Sequence, residues 1–471
     1  MRIALYTYPS QTDPHAENEF VTLTVLSHIY EPLVTLDRDL RLVPALAERW
    51  DNPNDLTWRF HLRQGVRFHD GHPLTADDVV QSLERVRRNP QGAFAGYLVA
   101  VHDVRALDPT TVEITTDHPS AVLLRKLAFV MVVPARSPDR ILRPIGTGPY
   151  RLVRWETGRI TLTAYAGYWG GPPALRDVEL VAVADDRQRT DRLLAHEVDL
   201  AQSLPPAEAT RLRGAAGVRV AMREGMSVEY LQPRVDRPPL ADPRVREAIS
   251  LALDRQGLVD ELLLGYGRPT IQLVPPLAVG YAPELQPPRR DLPRARRLLA
   301  EAGYPQGLDL ELDYREGRRL DPLARQLAAA GIRVRLVPLT WEDLNARMEA
   351  GRLAFHYGAL VSETADASDV LDTMVHSPEA SRGWGSTNFS GYANPELDRL
   401  IEASGVAARP RERRDTLQRC LRIVSRDLPF IPLFVPHEIY GVSDGLVFTP
   451  RLDGSVLAQE MRRRQEGAPR P

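Results

Sequence analysis

The sequence predicts an α/β protein with mixed sheets, divided into two lobes that a hinge of few residues joins. Three observations support this prediction. The length of 471 residues exceeds what a single hydrophobic core normally holds. Strand-like and helical segments alternate regularly between residues 308 and 361. Two extended segments, 228–233 and the proline-interrupted 428–435, suit crossings of the chain from one lobe to the other.

The alternating region is expected to be a βαβαβ unit. Strands are predicted at 308–314, 332–337 and 353–361, with helices at 322–330 and 340–350 between them. The last strand, LAFHYGALV, is apolar enough to be buried on both faces. In open parallel sheets ligands bind beyond the carboxyl ends of the strands, so the residues after position 361 are expected to contact a ligand.

Carboxylates follow this strand at a regular spacing, as Glu363, Asp366, Asp369 and Asp372. Asp366 and Ser368 are good helix N-caps, and Asp369 would lie in the first turn, where the positive helix end favours negative charge. Capping is therefore an alternative to ligand binding for all of them except Glu363, which lies in the break between strand and helix. Glu363 is the first candidate ligand contact, and Asp366 is a further one.

Aromatic and amide side chains extend the candidate site. Trp384 lies between glycines without apolar periodicity around it, and it is a candidate wall for a ligand because aromatic faces commonly line small-molecule clefts. Asn388 ends the polar run GSTN that follows. In the first expected strand, 2–8, Tyr6 and Tyr8 lie where one of them can face a cleft.

The amino-acid composition argues against nucleic acid as a partner and does not identify the cellular compartment. A hydrophobic share of 43%, a charged share of 26% and a net charge of −2 give no reason to expect nucleic acid. Cys420 is the single cysteine, so it forms no internal disulfide and does not reveal the compartment. The start, MRIALYTYPS, reads as a strand rather than a secretion signal, which leaves a trimmed signal or a cytoplasmic location as alternatives.

Motifs for catalysis and metal binding are weak. His61, His69 and His72 cluster, but no carboxylate or cysteine falls at a familiar ligand spacing. The GTGPY segment at 146–150 lacks the lysine of a phosphate loop, and neither a Gly-x-Ser-x-Gly elbow nor a His-Glu-x-x-His helix occurs. We therefore expect no metal, no cofactor and no enzymatic activity.

One long motif resembles a known family. The segment DLTWRFHLRQGVRFHDGHPLTADDVVQSLERV, at 55–86, is similar to the signature of the family 5 extracellular solute-binding proteins, the peptide- and nickel-binding components of ABC importers. Further segments resemble that family in the same order: IYEPLVTLDRDLRLVPALAERW at 29–50, GTGPYRL at 146–152, GYWGG at 167–171, LADPRVREAISLALDR at 240–255 and NFSGYANPELDRLI at 388–401. The resemblance covers almost the whole chain.

The resemblance implies a two-lobed fold like that of the periplasmic binding proteins, which closes about a hinge. Lobe I is expected at 1–228, with an extra subdomain at about 40–145, and lobe II at 229–437. The chain then returns to lobe I at 438–460 and ends in a flexible tail at 461–471.

The resemblance also implies a function. The chain is expected to capture a peptide-like or other small polar solute between its lobes, and to deliver it as a monomer to the ABC permease in the membrane, at the periplasmic or extracytoplasmic surface. In peptide-binding members an aspartate at the position of Glu363 holds the peptide amino terminus, and some members carry an arginine for a carboxylate at the position of Tyr357. The amine anchor is thus plausible and the carboxylate anchor is missing, which leaves room for a sugar, an opine-like solute or another amine. A cytoplasmic ligand sensor of the same fold and a cleft hydrolase are the alternatives.

Overall fold

The structure is a computed structural model that describes residues 1–89, 92–362, 364–407 and 409–464. The chain forms two compact units. The first unit comprises Met1–Arg223 together with the described residues from Glu438 onward, and the second comprises Glu224–His437.

The first unit contains most of the strands. Its strands are β1 (Arg2–Leu5), β2 (Val34–Leu36), β3 (Leu42–Pro44), β4 (Ala47–Asn54), β5 (Thr57–Leu62), β6 (Val101–Asp108), β7 (Thr111–Thr116), β8 (Tyr150–Glu156), β9 (Arg159–Ala164), β10 (Asp177–Ala182), β11 (Leu200–Ala201) and β12 (Val218–Glu224). Its helices are α1 (Phe20–Leu26), α2 (Ala76–Arg87), α3 (Leu123–Leu127), α4 (Asp186–Leu194) and α5 (Pro206–Leu212).

Two large sheets with separate cores form most of the first unit. The larger runs in the order β11-β1-β10-β9-β8, in which β1 is parallel to β10 and β11 while the other pairs are antiparallel. The smaller is an antiparallel sheet in the order β4-β5-β7-β6, and its apolar face packs with α2 around Phe60 and Val79. The core of the larger sheet contains Ile3, Tyr150 and Tyr440.

The second unit carries the longer helices. Its strands are β13 (Ser227–Pro233), β14 (Gly267–Pro269), β15 (Leu308–Arg315), β16 (Ile332–Leu339) and β17 (Phe355–Val361). Its helices are α6 (Pro243–Ala252), α7 (Arg255–Leu263), α8 (Leu292–Glu301), α9 (Asp321–Ala328), α10 (Trp341–Glu349), α11 (Ser368–Val370, followed by a π-helical turn, Leu371–Val375), α12 (Pro395–Val406) and α13 (Pro410–Asp427).

The expected βαβαβ unit is confirmed. Strand β15 is parallel to both β16 and β17, and β13 pairs antiparallel with β17, so the order is β16-β15-β17-β13. Leu231 and Tyr357 face the core formed with α6, α8 and α9, whereas Val228 and Tyr230 face the core formed with α12 and α13. The end of β17 departs from the prediction of a strand buried on both faces, because the Val361 side chain is 59% exposed.

The last long strand, β18 (Ile431–Ser443), belongs to both units. Its first residues pair with β13 and its last residues pair with β11. Downstream, β19 (Leu446–Val447) pairs with β20 (Arg462–Arg463), and Met461 is buried. The expected tail at 461–471 is therefore wrong for its first residues, because a buried side chain and a strand pair hold them; residues 465–471 lie outside the described residues.

Candidate functional site

The carboxyl ends of the parallel strands are the part of the second unit where the sequence places a site. Strand β17 ends at Val361, and the Ser362 N–H donates to the Met226 carbonyl at 3.1 Å. Glu363, the first candidate ligand contact, lies outside the described residues. The Thr364 N–H and hydroxyl donate to the Asp369 carboxylate at 2.9 and 2.7 Å, which fixes the turn into α11.

Asp366 is fully buried and belongs to an ion pair. Arg413, on α13, donates to both of its carboxylate oxygens, at 2.5 and 2.8 Å, and the Ser368 N–H donates to Oδ1 at 3.0 Å. Asp366 is not the N-cap of α11, because that position is Ala367, which makes no side-chain cap. The arginine, 47 residues further along the chain, was not foreseen. With both oxygens engaged inside the protein, Asp366 is suited to holding α11 against α13 rather than to contacting a solute.

Trp384 has a ring face that another ring already covers. The His376 imidazole stacks on the indole, with ring centroids 4.8 Å apart and planes at 18°, and the Arg382 guanidinium lies 5.7 Å from the indole centroid. Asn388 is buried as well. Its amide donates to the carbonyls of His376 and Tyr392 at 2.9 and 2.8 Å, and its oxygen accepts from the Ser390 hydroxyl. Both residues therefore organise the loop between α11 and α12.

Tyr357 is buried and lies beside an ion pair that the sequence did not suggest. Arg318, in the loop after β15, donates from Nη1 to Glu229 of β13 at 2.9 Å. The side chain of Glu229 is almost completely enclosed, whereas that of Arg318 is 46% exposed. Burial raises the pKa of Glu229, and Arg318 and the Tyr357 hydroxyl partly offset this effect. A cation therefore stands next to the position where the resemblance left the carboxylate anchor missing.

Tyr6 and Tyr8 follow β1 in the first unit and differ in their contacts. The Tyr8 hydroxyl donates to the Glu156 carbonyl at 2.9 Å, and its ring packs edge-on against Trp155. Tyr6 is partly buried, and its pKa is raised to about 12 because burial and the charges of Glu19 and Glu438 disfavour the phenolate. Within the part of the chain that the structure describes, no hydrogen bond engages the Tyr6 hydroxyl.

Glu438 was missed by sequence reasoning. It lies in β18, a strand recognisable from its apolar run LPFIPLFV, but nothing in the spacing marks the carboxylate that follows this run. Burial raises the pKa of Glu438, and no nearby cation among the described residues offsets that effect. Only the folded structure identifies Glu438, because it brings Tyr6 close to this carboxylate.

Several of the segments that resemble the family converge around one buried carboxylate in the first unit. Glu31 accepts hydrogen bonds from the Thr147 hydroxyl at 2.8 Å, the Tyr168 hydroxyl at 2.9 Å and the Trp169 indole at 3.0 Å. Burial raises the pKa of Glu31 to about 7, although these donors oppose the shift. The cluster ties three distant loops together, which accounts for the recurrence of these motifs as structural elements.

Comparison with known proteins gives the family. Residues 41–382 match "Bacterial extracellular solute-binding proteins, family 5 Middle". The chain belongs to this family. It is also 30% identical over 459 residues to the glutathione-binding protein GsiB of Salmonella typhi, covering 92% of this chain and 88% of that protein.

Two solved structures share the fold of this chain. HbpA2 from Haemophilus parasuis superposes with a TM-score of 0.88 at 24% identity, covering 99% of this chain and 100% of that one. The substrate-binding protein CtaP from Listeria monocytogenes also gives 0.88, at 22% identity, covering 98% and 99%. The expected two-lobed periplasmic-binding-protein fold is confirmed.

Family membership also confirms the expected role. The chain is a solute-binding protein of the ABC-importer type, whose partners are a small ligand and the permease. The family and the relatives named above are binding proteins. Within the described residues, no helix is both long and apolar enough to cross a membrane.

Proposed function

We propose that this protein binds a small peptide-like solute that carries a free carboxylate, with glutathione as the first candidate, and passes it unchanged to its permease from the extracytoplasmic side. The two compact units are the lobes in this proposal. Its similarity to a glutathione-binding protein over 92% of the chain supports the choice of solute.

The observation that carries the proposal is the position of Arg318. It follows β15 at the carboxyl edge of the parallel strands, where ligands bind in sheets of this kind. Only its Nη1 is engaged within the described part of the chain, by Glu229, and nearly half of the side chain is exposed. A guanidinium has five N–H donors and pairs well with a carboxylate, so Arg318 can accept a second anion.

Glu229 and Tyr357 hold this arginine in place. The carboxylate fixes one end of the guanidinium, and the buried Tyr357 hydroxyl is hydrogen-bonded to the same carboxylate. An arginine positioned in advance loses less conformational entropy when a ligand binds than a freely rotating one does. The arginine that some peptide-binding members place at position 357 is thus replaced, in this proposal, by one from a neighbouring strand end.

Calorimetry with two probes tests the contact. Wild-type protein should bind glutathione and bind its diethyl ester more weakly, because esterification removes the carboxylate charges. Arg318→Gln should weaken glutathione binding by roughly ten- to a hundredfold, the usual range for a hydrogen bond to a charged group, and should leave ester binding unchanged. Arg333→Gln is the matched control, because Arg333 lies in the same sheet but is already paired with Asp309 at 2.7 Å.

The alternatives have separate outcomes. Normal glutathione binding by Arg318→Gln would remove the proposed carboxylate contact, whereas failure of the wild type to bind glutathione would change the solute class. Native mass spectrometry of protein purified from its host would then identify a co-purified sugar or opine-like solute. A cleft hydrolase would release product that accumulates with time from peptide or glycoside libraries. Cell fractionation separates the extracytoplasmic protein from a cytoplasmic sensor.

A further inference from the structure

Glu229 is an enclosed carboxylate of the second unit that depends on one cation. Its side chain is 6% exposed, and its Oε1 accepts from Arg318 Nη1 at 2.9 Å. Its other oxygen, Oε2, is buried and accepts no hydrogen bond from the described residues. The second group that acts on the carboxylate is the neutral Tyr357 hydroxyl, and the register partners on β17 and β18, Ala359 and Phe434, carry no charge. Among the described residues, Arg318 is therefore the cation that compensates Glu229.

The exposure of Arg318 distinguishes this pair from that of Asp366 and Arg413. The side chains of Asp366 and Arg413 are 1% and 7% exposed, so a solute cannot reach their cation. Arg318 is 46% exposed, and its remaining N–H donors are those to which the proposed solute carboxylate binds. A solute bound there shares the cation on which Glu229 depends.

Two carboxylates on one guanidinium have one negative charge in excess. Like charges held close together in an enclosed site disfavour each other, so that one of the two carboxyl groups favours its protonated form. Burial already raises the pKa of Glu229, and Arg318 offsets this effect only in part. The solute carboxylate lies on the exposed side of Arg318, and an α-carboxyl group is ordinarily a stronger acid than a glutamate side chain. Glu229 is therefore the group that takes the proton.

We infer that the solute carboxylate binds together with one proton, which Glu229 takes from the solvent when both carboxylates share Arg318; this inference rests on the proposed function. The new O–H bond forms on the Glu229 carboxylate, and Arg318 stays charged. The bound form then holds one proton more than the free form. Affinity should therefore rise as pH falls, by up to about tenfold per pH unit while Glu229 is ionised in the free protein.

Calorimetry counts the proton. S-methylglutathione is the probe, because it keeps the carboxylates of glutathione and has no thiol to ionise. Titrations at pH 7 in buffers with different enthalpies of ionisation should give close to one proton taken up per solute bound. Glu229→Gln should still bind, because glutamine has the shape of the protonated acid and leaves Arg318 in place, but it should take up almost no proton.

The pH dependence gives a second readout. From pH 6 to pH 7 the affinity of the wild type should fall by up to about tenfold, and that of Glu229→Gln by less than about twofold. Asp313→Asn is the control. Asp313 is also a carboxylate of this sheet whose pKa is raised by burial, but its partner is Arg347, at 2.7 Å. This variant should keep the proton uptake of the wild type.

The outcomes separate this inference from the proposed function. A wild type that binds the probe without proton uptake, or an uptake that persists in Glu229→Gln, would overturn the inference while leaving the solute class intact. If the wild type bound neither glutathione nor S-methylglutathione, the proposed solute would be wrong instead.

Infrared spectroscopy without solute tests the inference in that case. If Arg318 keeps Glu229 ionised, Arg318→Gln should carry a protonated carboxyl group at pH 7 that the double variant Arg318→Gln/Glu229→Gln lacks. The wild type and Glu229→Gln should show no such difference. An ionised Glu229 in Arg318→Gln, or a protonated one in the free wild type, would overturn the inference.

Discussion

Asp366, which is fully buried, and Glu438, which is partly exposed, are two carboxylates that the fold treats in opposite ways. Asp366, in the second unit, is held by Arg413 through both oxygens and by the Ser368 N–H. Glu438, in the first unit, receives no bond from the described residues. The sequence left Asp366 open between a helix cap and a ligand contact, and its charge is already neutralised by Arg413. A carboxylate that the chain leaves uncompensated is a better marker of a binding site than one that follows a strand.

Glu31 lies between these two cases. Its donors are neutral hydroxyl and indole groups, and Arg63 contributes only a weaker electrostatic effect. Hydrogen bonds without a counter-ion do not fully offset burial, so its pKa is raised to about 7. The three carboxylates thus form a series, from a full counter-ion, through neutral donors, to neither, and each step predicts a measurable difference.

The largest effect is expected for Asp366, the carboxylate that has a full counter-ion. Arg413→Met should lower the free energy of unfolding by about 3–5 kcal/mol, because it leaves the buried Asp366 carboxylate without its counter-ion. Urea denaturation followed by tryptophan fluorescence measures this loss. This loss exceeds the cost of about 1 kcal/mol that removing a simple helix cap usually has.

Arg409→Met is the control, because Arg409 is the N-cap residue just before α13 and is exposed. If Arg413→Met lowered the free energy of unfolding no more than Arg409→Met does, the Arg413–Asp366 ion pair would not stabilise the fold. Glutathione affinity should stay normal in Arg413→Met once the protein is folded. A specific loss of affinity would return Asp366 to the list of ligand contacts.

Local patterns of apolar residues were sufficient to predict many of the helices and strands of the second unit. Alternation of apolar segments predicted β15, α9, β16, α10 and β17 to within a few residues, because each element is specified by its own periodicity. The tail near Met461 was not predictable in this way. Its order comes from β19 and from a core assembled by distant residues.

The candidate site was much less predictable, because its chemistry depends on pairs far apart in the chain. Arg413 is 47 residues from Asp366, and Arg318 is 89 residues from Glu229. Neither partner can be inferred from spacing. Trp384 illustrates the same limit, since its isolation in the sequence suggested a free aromatic face that the His376 ring in fact covers.

The second predicted effect is a change in the stability of the fold with pH, caused by Glu31. Its folded-state pKa of about 7 lies above the ordinary value of 4.5, so the protonated form stabilises the fold at low pH and this contribution is lost as pH rises toward 7. The loss should be on the order of 3 kcal/mol. The buried imidazoles of His15 and His28 act in the opposite direction, because burial lowers the pKa of each to about 4.

The Glu31 contribution is therefore measured as a difference between wild type and Glu31→Gln across this pH range. Thr147→Val sharpens the test, since removing a donor that lowers the Glu31 pKa should move the loss of stability to higher pH. A difference between wild type and Glu31→Gln that does not vary with pH would show that the neutral donors offset burial completely.

The smallest effect concerns the space around Glu438. Gly454 has φ +78°, and a Cβ there would meet Phe20 at 3.3 Å and the Glu438 side chain at 3.7 Å. Gly65 has nearly the same backbone, with φ +76°, but a Cβ there would meet nothing within 4 Å. Gly454→Ala and Gly65→Ala should therefore share a backbone strain of about 1 kcal/mol in unfolding experiments. Gly454→Ala should lose about 1 kcal/mol more than Gly65→Ala, because the new methyl group crowds Phe20 and Glu438. An equal loss of stability in the two variants would show that these two side chains move aside without cost.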